Sequence, residues 1–558
     1  MVSLTDETVR PRPKARMPFR AGNFAATLPA LGLLILFFVV PVLILLSRSV
    51  TEPVFGLGNY AELLGSSTYL KIFFNTFAVS ALVTVVSLAI GFPVAWALAI
   101  MPSRLASIVF AILLLSMWTN LLARTYAWMV LLQRTGVVNK TLMGLGIIDK
   151  PLALVNNLTG VTIGMTYIML PFIIIPLYGV IRKIDPAILQ AASLCGASRW
   201  QALTRVLIPL AAPGMMAGAL MVFVMSLGYF VTPALLGGTA NMMLAELIAQ
   251  FVQSLVNWGM GGAAAFVLLV VTLALYAVQL KFFGAAGAGG AEMLLNYNSL
   301  GLWKWLLLLI TVLTSAFLIL PIVFIAALSF GSSQWLIFPP PGWTLKWYAD
   351  FFADPRWLEA AWTSLRIALM VTVLSVLIGL MASFGLVRGR FLGRGTLRAL
   401  FMTPMILPVV VLAVALYAFF LKLGLAGTTT GFVIAHLVVA LPFSILALTG
   451  ALEGFDKSIE DAAVLCGASP LQAKIRITLP AISHGLFSAA IFSFLTSWDE
   501  VVLAIFMASP TLQTLPVKIW ATLRQDLTPV IAAASTLLIA VTIILMLLVA
   551  AVRKGLKT

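Results

Sequence analysis

Charge is scarce in this chain: only 9% of its 558 residues are Asp, Glu, Lys or Arg, while 62% are hydrophobic. A soluble domain carries about 25% charged residues, so this composition, with a mean hydropathy of +1.11, excludes a water-soluble globular fold and makes the bilayer the solvent. Cysteine is nearly absent. Cys195 and Cys466 cannot build a secreted disulfide framework, and both are expected on the cytoplasmic side as small packing residues. Histidine is as rare: His436 and His484 have no second ligand at a suitable spacing, so packed or hydrogen-bonded roles are expected and no metal site. A Gly-rich phosphate loop ending in Gly-Lys-Ser or Gly-Lys-Thr is missing, and Gly454, Phe455, Asp456, Lys457 and Ser458 imitate only part of one. No cofactor and no catalytic residue are therefore expected in this chain.

What the sequence has in quantity is long apolar segments. Twelve candidate spans fall near 25–47, 72–100, 105–132, 159–180, 210–235, 261–281, 303–329, 361–387, 397–421, 431–451, 482–508 and 530–552. Basic residues outnumber acidic ones, 34 to 18. Arg104, Arg182, Lys183, Arg199, Arg388, Arg390, Arg394, Arg398, Lys474 and Arg476 then share one side with the basic tail of residues 1–24, which marks that side and both termini as cytoplasmic. A basic tail also suits nucleic acid, but beside so many apolar segments a membrane anchor is the better reading. The first apolar run exceeds a signal-peptide core and is expected to be retained.

Residues 170–209 align without a gap to residues 441–480, with 19 identities at the 40 positions and a constant offset of 271. Six spans separate the copies, an even number, so the repeated loops lie on one face and the halves are parallel repeats. The halves are expected at 25–281 and 303–558, joined by 282–302 with its Gly and Ala cluster.

Each repeated loop, 185–209 and 456–480, begins with an aspartate in N-cap position, Asp185 or Asp456. About ten helix-compatible residues lead to Gly196 or Gly467, suited to a left-handed C-terminal cap. A second helix starts with Ser198 or Ser469 as its cap and is expected to end at Pro209 or Pro480. Ala191, Ala192, Ala462 and Ala463 leave one stretch nearly bare, which lets another surface approach closely. A single such elbow suits a plain connector between spans. Two copies kept alike instead imply two equivalent partner surfaces.

Gln190, Ala191, Ala192, Gly196, Val206, Ile208 and Pro209, matched by Asp461, Ala462, Ala463, Gly467, Ile477, Leu479 and Pro480 at the same spacing, resemble the EAA loop of binding-protein-dependent ABC importer permeases, with Gln190 and Asp461 replacing the usual Glu. The resemblance implies an all-α polytopic membrane protein of the type I ABC importer permease fold. It also implies coupling helices near 185–200 and 456–471, two partner ATP-binding subunits that hold ATP and Mg, and a periplasmic substrate-binding protein. The bacterial inner membrane is the expected location.

The two halves further resemble the two permease subunits of spermidine and putrescine importers, through Trp118, Thr119, Asn120, Arg124 and Tyr126, through Thr344 to Tyr348, and through Ser497 to Val502. Importers of ferric iron, thiamine and aminoethylphosphonate have similar permeases, and an ion-coupled secondary transporter is the rival of a different class. Asp499 and Glu500 lie inside the eleventh apolar segment, where each charge costs about 2.5–3.5 kcal/mol. They either line a path for polyamine ammonium groups, with Trp498, Tyr229 and Phe230 offering cation–π faces, or bond to the end of a neighbouring broken helix. Arg124 is expected to snorkel to the outer interface, and Glu246 to sit as a solvated charge or a binding-protein contact on a short outer helix.

Overall fold

The computed structural model describes residues 24–283, 302–335, 337–525 and 527–555. The expected basic tail and nearly all of the expected joint lie outside them. Among the described residues, nine helices are long and apolar enough to cross a bilayer, and three further pairs qualify when each bent pair is taken as one span. Span one is Leu28–Thr51, span two Ser67–Ile100, span four Leu158–Ile181, span five Arg199–Leu227 and span six Trp258–Gln279. Spans seven, eight, ten and twelve are Trp303–Ser329, Pro355–Arg388, Thr429–Glu453 and Pro529–Leu548. Spans three, nine and eleven are the bent pairs, and they are where the chain departs from twelve straight rods.

Span three runs from Ser103 to Trp118, breaks at Thr119 and Asn120, and resumes from Leu121 at 98°. Span nine repeats the break before Val409, at 93°, with Pro408 in N-cap position. Span eleven bends by 73° between Ala481 and Ser483 and stops at Asp499. Span five likewise stops early, at Leu227, and a short helix Val231–Leu236 follows. Prolines inside helices, such as Pro93, Pro171, Pro321 and Pro442, do not end them. In a bilayer no water competes for the freed carbonyl, and packed neighbours hold the helix together.

Each half is built on one three-helix core: spans two, four and five in the first, spans eight, ten and eleven in the second. Small residues bring these helices close. In the second core Ser444 Oγ donates to the Ser375 carbonyl at 3.0 Å, Ser493 Oγ donates to Ser375 Oγ at 3.0 Å, and a Cβ on Gly379 would meet Ser444 Oγ at 2.6 Å. The halves then interlock by exchanging arms. Span one packs against span nine, and span seven packs against spans two and three.

The internal repeat extends well beyond the elbow. Ser49 meets Tyr60 and Ser329 meets Tyr348, hydroxyl to hydroxyl, both at 2.7 Å. Thr76 Oγ1 accepts from the Leu244 N–H at 2.8 Å, and Ser364 Oγ accepts from the Leu515 N–H at 2.7 Å. Each of these bonds opens a short helix, Leu244–Gln253 or Leu515–Leu523, that lies between the last two spans of its half.

Candidate functional site

The elbows form as their capping residues require. Asp185 accepts from the Ala187 N–H at 2.8 Å and opens the helix Pro186–Leu194; Asp456 accepts from the Ser458 N–H at 2.9 Å and opens Lys457–Leu465. Gly196 and Gly467 follow at φ +80° and +96°, a region that L side chains enter only at a cost. Ser198 and Ser469 then start the second helices, each in a reciprocal capping box with Gln201 or Gln472. The serine half of that box is legible from the expected caps; the glutamines three residues on complete it.

Pro480 ends its second helix as expected, to within one residue, but Pro209 does not. A π-helical turn precedes each one, Ala202–Leu207 and Lys474–Thr478. Its wider spacing takes up the missing proline N–H. In the first half the helix continues unbroken into span five, and in the second it kinks just past Pro480.

The exposed surfaces of the two elbows correspond position by position. Leu194 and Leu465 are each 89% exposed, and Ile188 and Ile459 are exposed beside them. Gln190, Ala191, Asp461 and Ala462 are exposed too, while Ala192 and Ala463 are half-buried. Asp461 is paired with Lys457 at 3.0 Å. Cys195 and Cys466 are free and exposed, at the two C-caps, rather than packed as small apolar residues. The second elbow is fixed to its half by Arg388, whose Nη2 donates to the Phe455 carbonyl at 3.2 Å, and is braced internally by Thr478, whose hydroxyl donates to Glu460 Oε2 at 3.1 Å.

A second constellation lies in the seam between the halves. The break in span three exposes orphan backbone groups at both helix ends. Asp499 of the second half takes the N–H end: its Oδ1 accepts from Asn120 Nδ2 at 2.6 Å and from the Leu121 N–H at 3.0 Å. Arg124 takes the carbonyl end, its Nη1 donating to the Ser116 carbonyl at 2.6 Å. Arg124 is only 6% exposed, so it does not snorkel outward. The break puts it in the first turn of a new helix beside freed carbonyls, instead of near the end of a long one. Its charge acts on both Asp499 and Tyr229, and Tyr229 also feels Asp499 and Glu500.

Glu500 caps its own next helix, with Oε1 accepting from the Leu503 N–H at 2.9 Å. Trp498 faces into the second half and stacks on Phe494 at 5.6 Å. Phe230 is buried against Trp520 of the other half at 5.7 Å. The structure thus brings Tyr229, Asp499 and Glu500 together with Arg124 and Asn120, and sets Trp498 and Phe230 into packing. Trp118 stacks on Phe492 across the same seam at 5.3 Å. His436 Nδ1 bonds to Ser497 Oγ at 2.9 Å, which accounts for that histidine structurally.

At the offset of 271, Asp499 corresponds to Gly228. There the seam is apolar: a Cβ on Gly228 would come within 2.7 Å of Pro408 Cβ, at the break in span nine. Glu246, expected as a solvated charge or a binding-protein contact, is not solvated: its Oε2 is buried without a hydrogen-bond partner.

Two stretches, residues 104–282 and 375–558, match the family of binding-protein-dependent transport system inner membrane components. The spermidine/putrescine transport system permease protein PotB of Escherichia coli (strain K12) is 34% identical over 248 residues, 43% of this chain and 90% of that one. PotC of the same organism and system is 29% identical over 232 residues, 42% of this chain and 88% of that one. Among solved structures, a bacterial alginate ABC transporter in complex with its alginate pentasaccharide-bound periplasmic protein aligns at 20% identity and a TM-score of 0.42, over 48% of this chain and 96% of that one.

Proposed function

The chain belongs to the family of binding-protein-dependent transport system inner membrane components, as a fused pair of ABC importer permease halves, and we propose that it carries polyamines such as putrescine and spermidine inward across the bacterial inner membrane. The observation that carries this reading is the pair Asp499 and Glu500 at the seam. Asp499 ends span eleven and Glu500 follows it, and Asp499 reaches across to Asn120 and Leu121 of the first half. A carboxylate pair held between the halves of a permease is the complement of a small polycation. The names of the PotB and PotC relatives point to the same substrate class.

Two ATP-binding subunits would seat on the elbows, one on each, with ATP and Mg held there and not in this chain. The bare alanines and the matched Leu194 and Leu465 support that docking, because apolar side chains this exposed on a polar face gain most from being covered. A periplasmic binding protein would deliver the substrate from the other side. Motor closure would draw the elbows together, rock the halves about the seam, and turn the path from one side to the other. Glu500, Asp499 and Tyr229 would line that path, while Trp498 and Phe230 would support it from behind.

The test is ATP hydrolysis by the reconstituted complex, with putrescine, spermidine, ferric iron and aminoethylphosphonate each presented on the cognate binding protein. Stimulation by the two polyamines is expected. Stimulation by ferric iron or aminoethylphosphonate alone would discard the polyamine and retain the permease.

A further inference from the structure

We propose that Asn120 and a cationic substrate compete for Asp499, so that substrate arrival itself releases a polar tie between the halves at the break in span three. The inference rests on the cationic substrate proposed above. Asn120 belongs to the first half and Asp499 to the second, 379 residues apart in sequence, and their 2.6 Å bond with the 3.0 Å bond to the Leu121 N–H is the polar tie at this break. The corresponding contact on the other side of the seam, Gly228 against Pro408, offers no charge to exchange. One side of the pseudo-dimer is therefore a chemical latch and the other a plain packing contact.

Three features make the tie releasable. Only Oδ1 of Asp499 is engaged; among the described residues nothing donates to Oδ2, and the residue is partly exposed. An ammonium group can therefore approach the carboxylate from its free oxygen. Asn120 carries its own cap as well: its Oδ1 accepts from the Ala123 N–H at 3.0 Å, so the helix Leu121–Leu132 keeps a capped end after Asp499 leaves. Arg124, tied to the Ser116 carbonyl, supplies a fixed positive charge that acts on Asp499. An incoming polyamine replaces the helix end as the partner of Asp499, and the halves lose the polar tie at this break.

The experiment uses the complete complex in lipid nanodiscs, with Asn120→Ser and Asn120→Asp. Serine caps a helix as well as asparagine does but reaches less far, and aspartate keeps the cap while setting a like charge against Asp499. ATP hydrolysis without substrate should rise at least tenfold in Asn120→Ser, the population shift that one lost hydrogen bond to a carboxylate gives, and further in Asn120→Asp. The putrescine concentration for half-maximal stimulation should fall in Asn120→Ser. A merely structural asparagine would lower yield and both rates together. Substrate-free rates equal to wild type in both variants, with putrescine still stimulating the wild type, would overturn the competition and leave the cationic substrate standing. A wild type that putrescine does not stimulate overturns both, and the substrate-free ordering then shows whether the tie alone restrains the halves.

Discussion

Asp499 closes the broken end of a helix in the opposite half, accepting from Asn120 Nδ2 at 2.6 Å. The two readings open for this acid, a path-lining charge and a cap on a broken helix, thereby fall on one group. The capping role explains why a carboxylate is tolerated at the seam: orphan N–H groups with the positive end of the helix dipole offset its desolvation. The proposed substrate role uses the oxygen left over.

Asp499→Asn separates those roles. Asparagine keeps an oxygen facing Asn120 and Leu121 but loses the charge. A charge-assisted hydrogen bond contributes about 1.5–3 kcal/mol, so half-maximal stimulation by putrescine should need at least tenfold more substrate, about 1.4 kcal/mol, with unchanged melting of the complex. Glu500→Gln should act less strongly, because Glu500 is engaged in capping its own next helix at Leu503 while Asp499 is the acid that reaches across the seam. Titrating substrate-stimulated ATP hydrolysis in both variants checks the order.

The chain carries its own reporters of docking. Cys195 and Cys466 are its two cysteines, both exposed at the C-caps of the elbow helices. A maleimide should label both in the isolated permease, and ATP-binding subunits should protect both. Mass spectrometry of the labelled chain reads the two sites separately. Protection of one cysteine alone would break the proposed equivalence of the two elbows.

The elbows were legible in the sequence because they are local. A cap, nine helical residues, a glycine and a second cap lie within fifteen positions, and each acts on neighbours in the chain. Span number was legible for a similar reason, since bilayer thickness sets a length. The breaks were harder. Thr119 and Asn120 interrupt an apolar run that hydropathy averages over, although Asn120 placed just before Leu121 is an ordinary helix-start signal. The bond from Asp499 to Asn120 depends on how two distant halves pack, which no local pattern encodes. Arg124 was misplaced for the same reason: once the helix breaks, distance along the sequence no longer measures depth in the membrane.

Gly228→Ala tests the apolar side of the seam. The added Cβ would sit 2.7 Å from Pro408 Cβ, and the proline ring cannot swing away. Forcing an extra methyl into such a contact costs about 1–3 kcal/mol. The purified complex should melt earlier and lose transport rate, with the substrate concentration for half-maximal rate little changed. Gly179→Ala, where a Cβ meets nothing within 4 Å, is the matched control and should behave as wild type.

Glu246 lies on the short helix between spans five and six, outside the spanning segments, and burial pushes its carboxyl up to about 7 against the pull of Arg524. Its ordinary value is about 4.3, so the native state holds a proton that the unfolded chain releases between these limits. Stability should therefore be fullest below about pH 4.3 and fall as pH rises toward 7, by on the order of 4 kcal/mol at most. Glu246→Gln keeps the neutral shape and removes the titration. The difference in melting temperature between variant and wild type should be near zero at pH 4.5 and should grow in favour of the variant up to pH 7.5. A difference that stays constant across that range would mean the carboxyl ionises as it does in water, and that its buried oxygen is reached by a partner or by solvent.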